Sequence, residues 1–139
     1  MQLIEEIIFP RNWQEFVELK DKIPFFVPEL ARFPEDLFFY KLYSKHVSKE
    51  IRFNILNQQI GDSQIKIVKN AFPYLRLIQN LSNVEHYCLW SRNGSLSSEV
   101  IESEIKKQFP IQEYFWFENI DEIKSIPEIW HCQIFIKLK

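Results

Sequence analysis

Residues 129–138 constrain the fold more than any other segment, because apolar and polar side chains alternate along them. Alternation with a period of two is typical of a β-strand, in which successive side chains point to opposite faces of the sheet. One face comprises Trp130, Cys132, Ile134, Ile136 and Leu138, and the other comprises His131, Gln133, Phe135 and Lys137. We therefore predict a strand that turns His131 and Gln133 to the same side, away from the more hydrophobic layer.

Three further segments have the composition of strands. Residues 64–69 are rich in Ile and Val, residues 84–90 combine aromatic and apolar side chains, and residues 114–117 are all aromatic. Such residues favour the pleated, half-buried surface of a sheet. Between the second and third segments, a helix is predicted after the Asn93–Gly94 turn, capped by Ser97 or Ser98 and ended by Pro110. Its predicted apolar face comprises Val100, Ile101, Ile105 and Phe109.

The first part of the chain carries helical signals instead. Asn12 and Glu15 have the spacing of a capping box at the start of a short helix. Pro34 begins a second helical stretch, which we expect to run to Gly61, since glycine commonly ends helices. The apolar stripe at helical spacing along it comprises Leu37, Tyr40, Tyr43, Val47 and Ile51.

The order of these segments predicts the α+β class. We expect a single domain over residues 1–139, mainly helical over residues 1–63, followed by an antiparallel sheet with one packed helix over residues 64–139. A chain of 139 residues has the size of one domain. Its aromatic fraction of 16% indicates a packed core rather than disorder.

Composition and charge exclude several classes of function. With only two glycines, the chain cannot form a Gly-rich phosphate loop of the Walker or dinucleotide type. A net charge of −2 disfavours nucleic acid as a partner, since phosphate-binding surfaces usually carry a basic excess. No apolar stretch approaches the roughly 20 residues of a membrane span, and the acidic residues near the start are unlike a signal peptide. We therefore predict a soluble, cytoplasmic protein with no membrane partner.

The two cysteines predict neither a metal site nor a thiol nucleophile. Cys88 and Cys132 are 44 positions apart, which is not a zinc-binding spacing. Neither has an obvious base beside it, and in a reducing compartment both are expected to be free thiols. The sequence predicts no cofactor and no metal.

Four short motifs, taken in order, resemble a known family. They are NAFPY at residues 70–74, HYCLW at 86–90, WFEN at 116–119 and IKSIP at 123–127, and His131 follows them. Their succession over residues 65–136 resembles the N-acetylglucosamine-induced protein family, which is known mostly from fungi and described chiefly as a domain of unknown function. The family usually has an acidic residue at the position of Ala71 and a second histidine at the position of Gln133. A reaction that requires both imidazoles lacks one of them here.

The order of elements is also similar to that of the histidine-triad and galactose-1-phosphate uridylyltransferase superfamily. Its members use a histidine to attack the α-phosphate of a nucleotide. In the uridylyltransferase branch a glutamine follows this histidine by two residues, as Gln133 follows His131. The chain departs from the pattern at Ile129, where a preceding histidine is expected, and at Gln133 and Phe135, the further positions of the triad. The resemblance implies a histidine-triad-like fold and phosphate chemistry at His131.

His131 is the first candidate catalytic residue. An imidazole titrates near neutrality and can form a phosphoramidate, and Gln133 on the same face can donate a hydrogen bond to a phosphoryl oxygen. His86 is the second candidate, because neighbouring strands would bring it towards His131. His131 could instead be a half-buried histidine satisfied by a backbone carbonyl, and His86 could be a core or edge histidine.

Three residues outside the histidine strands are candidate ligand contacts. Asn119 follows the aromatic strand and can hydrogen-bond a sugar or a phosphate. Lys124 and Ser125 precede the last strand in a loop that could contact an anion. A turn residue and a solvated loop are the simpler explanations for them. With His131, His86 and Gln133, they would line a pocket that binds or processes a nucleotide, nucleotide-sugar or phosphosugar.

A protein partner is the alternative. The aromatic segment of residues 24–39 could form an interaction surface if it is exposed. The sequence therefore leaves open an enzyme, a ligand-binding domain and a non-catalytic protein–protein interaction domain.

Overall fold

The computed structural model of the protein describes residues 9–20, 31–118 and 129–138. Its helices are α1 (Trp13–Glu18), α2 (Pro34–His46), α3 (Lys49–Ile60) and α4 (Ser98–Gln108). Its strands are β1 (Ile65–Lys69), β2 (Val84–Ser91), β3 (Glu113–Phe117) and β4 (Trp130–Lys137). The strands form one antiparallel sheet in the order β1-β2-β4-β3. The α+β class predicted from the sequence is confirmed.

Each of the four predicted strands is confirmed with ends that differ by at most one residue. The two longest, β2 and β4, lie side by side in the centre of the sheet. Their register places His86 opposite Phe135, Cys88 opposite Gln133, and Trp90 opposite His131. Because side chains alternate between faces, all of these side chains lie on the same face. The period-two pattern therefore identified the two faces of β4 correctly.

One face of the sheet is covered by α4. The Ser97 side chain accepts a hydrogen bond from the amide of Val100, which caps the helix as predicted. Ile101 and Ile105 are fully buried against the apolar face of β4. Val100, predicted on the same face, is 40% exposed. It is displaced by about 100° around the helix from the line that joins Ile101 to Ile105, so this part of the prediction is wrong.

The opposite face of the sheet is covered as well. Phe16 of α1 packs with the loop residues Tyr74 and Leu77 against Phe135 of β4. Farther along the same face, Leu56 and Ile60 of α3 pack against Cys88, Trp90 and Ile129. The helical first part of the chain thus lies on the face that carries His131 and Gln133, and both side chains are buried.

The predicted helical stretch from Pro34 to Gly61 is divided in two. Val47 has an extended backbone, and the hydroxyl of Ser48 accepts a hydrogen bond from the amide of Ile51 to start α3. The cap ends one helix and begins another, although the apolar spacing continues across it. Gly61 ends α3 with a φ of 64°, as the sequence predicts.

The carboxyl end of α3 is tied to the end of β2 by one side chain. The guanidinium of Arg92 donates to the backbone oxygens of Asn57, Gly61 and Ser63 at 3.5, 3.0 and 3.2 Å. It also donates to the Asn57 side chain at 2.6 Å. A cation at a helix carboxyl terminus satisfies carbonyls that have no partner within the helix.

Within the three described ranges, none of the helices combines the length and the apolar character needed to cross a membrane.

Candidate functional site

Three of the six predicted site residues lie on one face of the sheet. His86, His131 and Gln133 are all buried there, between the aromatic cluster around Phe135 and the apolar cluster around Trp90. The structure brings His86 into contact with Gln133, whereas His131 is paired with Trp90. Asn119, Lys124 and Ser125 lie outside the described residues.

His86 is held in one tautomer by a backbone amide. Its Nδ1 accepts a hydrogen bond from the amide of Tyr74 at 3.1 Å, so the proton of the neutral ring is on Nε2. Nε2 then donates to Oε1 of Gln133 at 2.5 Å. The ring stacks on Phe135, with 4.3 Å between centroids. Burial lowers the pKa of His86 to about 3, opposed by the Gln133 hydrogen bond and assisted by the charge of Arg32. His86 is therefore neutral at physiological pH and positions Gln133.

The orientation of the Gln133 carboxamide follows from this tautomer. Its oxygen faces the Nε2 proton of His86 and also accepts from Nδ2 of Asn70 at 3.3 Å. The amino group must then point away from both donors. Among the described residues, the fully buried side-chain atoms that lack a hydrogen-bond partner are Nε of Arg52 and Oε1 of Gln112, so the Gln133 amino group is not an isolated buried donor. Its direction, away from His86 and Asn70, leaves it a donor that a bound molecule could engage.

Asn70, which follows β1, contacts the side chains of His86, Cys88 and Gln133, and these four residues form the polar cluster of the site. Its side-chain oxygen accepts a hydrogen bond from the amide of Phe72 at 2.8 Å, which is the geometry of an Asx turn. Its Nδ2 is directed at Gln133 and at Sγ of Cys88, at 3.3 Å from each. Asn70 opens the NAFPY motif at residues 70–74, but its contact with Gln133 spans 63 positions and has no local signal in the sequence.

His131 is anchored differently from His86. Its Nδ1 donates to the backbone oxygen of Ile129 at 3.1 Å, so the neutral ring carries its lone pair on Nε2. The ring lies against the indole of Trp90, with 4.2 Å between centroids. A histidine with Nδ1 fixed by a carbonyl and Nε2 unprotonated has the protonation state of a nucleophile or a general base.

Arg32 is a site residue that the sequence did not identify. It is 6% exposed, and its Nε donates to the backbone oxygen of Phe72 at 3.0 Å. Its guanidinium lies over the rings of Tyr40 and Tyr74, at 4.3 and 4.9 Å from the centroids. The Tyr74 ring in turn contacts His86 at 4.7 Å between centroids. A positive charge therefore reaches the polar cluster from the helical part of the chain.

Thiol and metal chemistry have little support in the described residues. Cys88 and Cys132 are buried and not bonded to each other. Burial raises the pKa of Cys88 to about 12, so it remains a thiol and a poor nucleophile. Within the part of the chain that the structure describes, no three His, Cys, Asp or Glu side chains are grouped as metal ligands would be.

Comparison with known proteins supports the fold alone. Neither a protein-family model nor a curated protein sequence matches the chain. A solved structure described as the crystal structure of HTC1 superposes with a TM-score of 0.62 and 17% sequence identity, over 94% of this chain and 86% of that one. Likeness at this level of identity indicates a shared arrangement of elements and leaves the function of the site to be inferred from its own chemistry.

Proposed function

We propose that this domain binds a nucleotide, nucleotide-sugar or phosphosugar at the face of β4 that carries His131 and Gln133. The observation that supports the proposal most is the fixed direction of the Gln133 carboxamide, whose oxygen faces His86 and Asn70 and whose amino group points away from both. That amino group is a donor for which a ligand oxygen is a suitable acceptor. A phosphoryl or sugar oxygen would supply the acceptor, while His86 and Asn70 keep the carboxamide from turning over.

His131 is the residue of the proposed site that could react with the ligand. Its Nε2 lone pair could accept a proton from the ligand, or attack the α-phosphorus of a nucleotide-sugar with cleavage of the P–O bond to the sugar phosphate, which leaves. It is two residues from Gln133, about 7 Å along the strand, which is the scale of one phosphosugar. Binding is favoured over turnover, because glutamine stands where the resembled family has its second histidine. Asn119, Lys124 and Ser125 remain proposed contacts of the same ligand.

The proposal includes a cytoplasmic location. Neither Cys88 nor Cys132 is in a disulfide, and both are buried. Cysteines stay reduced in a compartment such as the cytoplasm.

The proposal predicts a ligand-dependent rise in thermal stability. We expect at least one member of a panel of nucleotides, nucleotide-sugars and phosphorylated amino sugars to raise the unfolding midpoint. A ligand at about 100 times its Kd adds about 2.7 kcal/mol, which corresponds to a rise of roughly 8 °C for a domain of this size. The measurement is differential scanning fluorimetry with each ligand, followed by calorimetry for any ligand that shifts the midpoint.

Two variants test whether the ligand contacts this face of β4. Gln133→Glu keeps an oxygen towards His86 and Asn70 but replaces the amino donor, so the ligand-induced shift should disappear. His131→Asn keeps a donor near the position of Nδ1 and removes Nε2, so it should retain binding and lose any turnover. A ligand shift that survives Gln133→Glu undiminished would place the ligand elsewhere.

A second candidate function, protein–protein interaction, is favoured by the surface of α2. Phe38 and Phe39 are 59% and 61% exposed, and their rings contact each other at 5.8 Å between centroids. None of the thirteen residues of α2 is buried. Adjacent exposed aromatic side chains are typical of interaction surfaces. Residues 31–39 of the predicted segment are described, and residues 24–30 lie outside the described residues.

If this surface joins two copies of the chain, Phe38→Asp should abolish the association, because it places a charge in an apolar contact. Sedimentation velocity over a range of concentrations measures the dimer fraction, with Lys45→Gln on the same helix as the control that changes the net charge by the same amount. A wild-type chain that stays monomeric at all concentrations would rule out self-association through α2.

A further inference from the structure

Arg32 carries a buried charge that has no counter-ion in the described structure. Its guanidinium makes one hydrogen bond, from Nε to the Phe72 carbonyl, and two contacts with tyrosine rings. The remaining N–H groups have no acceptor among the described residues, and no described carboxylate lies within ion-pair distance. Arginine is rarely buried without a paired anion, because removing its charge from water is costly.

Those groups around Arg32 that the structure describes do not compensate this charge. The side chains nearest to it in the polar cluster are His86 and Cys88, and burial keeps both of them uncharged at physiological pH. The nearest carboxylate on β2, that of Glu85, is already engaged by Lys69 at 3.0 Å and Tyr87 at 2.6 Å. The two tyrosine rings stabilise a cation through their π-electrons but do not neutralise it.

The ion pairs of the described structure differ from Arg32 in both exposure and pairing. Arg11 with Glu15, Lys107 with Glu104 and Lys137 with Glu113 are paired at the surface. Arg32 has the reverse arrangement, with a buried side chain and no anion beside it in the described part of the chain. An arginine held rigidly by aromatic rings, with N–H groups to spare, is suited to bind a planar or tetrahedral oxyanion with two hydrogen bonds.

We propose that Arg32 is the anion-binding residue of the site, where it contacts a phosphate group of the ligand beside the His86–Gln133 pair. This inference rests on the proposed function and deepens it, since it identifies the ligand as an anion and assigns its charged group to a residue of the helical part of the chain. The Tyr74 ring contacts both the Arg32 guanidinium and the His86 ring, so the guanidinium lies close to the polar cluster.

The test is a titration with inorganic phosphate at constant ionic strength, followed by amide NMR. We expect saturable chemical-shift changes at Phe72, Tyr74 and His86. Arg32→Gln should weaken phosphate binding at least tenfold. Arg32→Lys should weaken it less, because lysine keeps the positive charge but cannot donate the two parallel hydrogen bonds of a guanidinium. Arg76→Gln is the matched control, since Arg76 also lies over an aromatic ring, that of Phe9 at 5.0 Å, and it should leave phosphate binding unchanged.

A second pair of probes separates free phosphate from a phosphomonoester. Glucosamine 6-phosphate should bind through Arg32 and glucosamine should not. Absence of saturable shifts with both phosphate and glucosamine 6-phosphate, in a wild-type protein whose spectrum is that of a folded domain, would overturn the inference. Equal binding by wild type and a folded Arg32→Gln variant would do the same.

The outcomes also distinguish this inference from the function on which it rests. A phosphorylated ligand whose binding depends on Gln133 but not on Arg32 would leave the proposed function standing and reject the role of Arg32. Phosphate binding that depends on Arg32, without any Gln133-dependent ligand in the panel, would support the anion site and reject the proposed position of the ligand on β4.

Discussion

Acidification from pH 7 to pH 5 is expected to lower the free energy of unfolding by about 2 kcal/mol, and acidification to pH 4 by about 3 kcal/mol, through His86 alone. Burial, opposed by the Gln133 hydrogen bond and assisted by the Arg32 charge, depresses the pKa of His86 in the folded protein to about 3. In the unfolded chain the imidazole returns to about 6.5. Below pH 6.5 the unfolded state therefore binds a proton that the folded state does not accept.

The sign of the effect follows from that difference in bound protons. Because the folded pKa is the lower one, the stabilisation is fully present above about pH 6.5. It is lost at about 1.4 kcal/mol per pH unit as the pH falls towards the folded pKa. Glu85, whose pKa is lowered by its hydrogen bonds to Tyr87 and Lys69 and by the charge of Lys69, acts in the same direction. Its ordinary pKa is near 4.3, so its contribution enters mainly below pH 5.

Urea denaturation at pH 7, 6, 5 and 4, followed by circular dichroism, measures this dependence. His86→Gln keeps a donor and an acceptor in the site but does not titrate, so its stability should change little between pH 7 and pH 5. His46→Gln, at an exposed position of α2, is the matched control and should retain the slope of the wild type. A wild-type slope that persists unchanged in His86→Gln would show that the acid sensitivity arises elsewhere.

Phe135→Ala is expected to cost about 3–5 kcal/mol, which is a large part of the stability of an ordinary domain. Phe135 is fully buried and joins the rings on its side of the sheet. Its centroid lies 4.9 Å from that of Phe16 in α1, 5.5 Å from that of Phe115 in β3 and 4.3 Å from that of His86 in β2. Truncation would leave a cavity at the point where three elements meet.

Guanidinium denaturation of Phe135→Ala and Phe38→Ala compares a buried and an exposed phenylalanine. The exposed Phe38 should change the free energy of unfolding by less than about 0.5 kcal/mol. Phe135→Leu should recover most of the loss, since it refills much of the volume. A Phe135→Ala variant as stable as Phe38→Ala would contradict the central position assigned to this ring.

The sheet could be predicted from the sequence because its signals are local. The alternation along β4 specifies both a strand and its faces within a few residues, and the aromatic run of β3 specifies a strand. The caps at Asn12, Ser97 and Gly61 are equally local and are confirmed. The division between α2 and α3 was missed, since the apolar spacing continues through Val47 while the serine cap interrupts the backbone.

Much of the candidate site depends on contacts between distant parts of the chain. That His131 and Gln133 share a face is a property of one strand, and the sequence predicted it. The direction of the Gln133 amide depends on the His86 tautomer, which is set by the Tyr74 backbone. Burial of Arg32 depends on two tyrosines and the Phe72 carbonyl. Arg32 belongs to the aromatic segment of residues 24–39, which the sequence predicts as a possible protein-interaction surface. No local sequence pattern shows that Arg32 is buried while Phe38 is exposed.

The Arg92 contacts with the end of α3 have a consequence for local opening. Three backbone oxygens at that end accept hydrogen bonds from one side chain that follows β2, so fraying of α3 from its carboxyl terminus would break its link to the end of this central strand. Amide hydrogens of α3 and of the β1–β2 pair should then exchange with solvent as one cooperative unit. The amides of α2, which buries none of its side chains, should exchange sooner and independently.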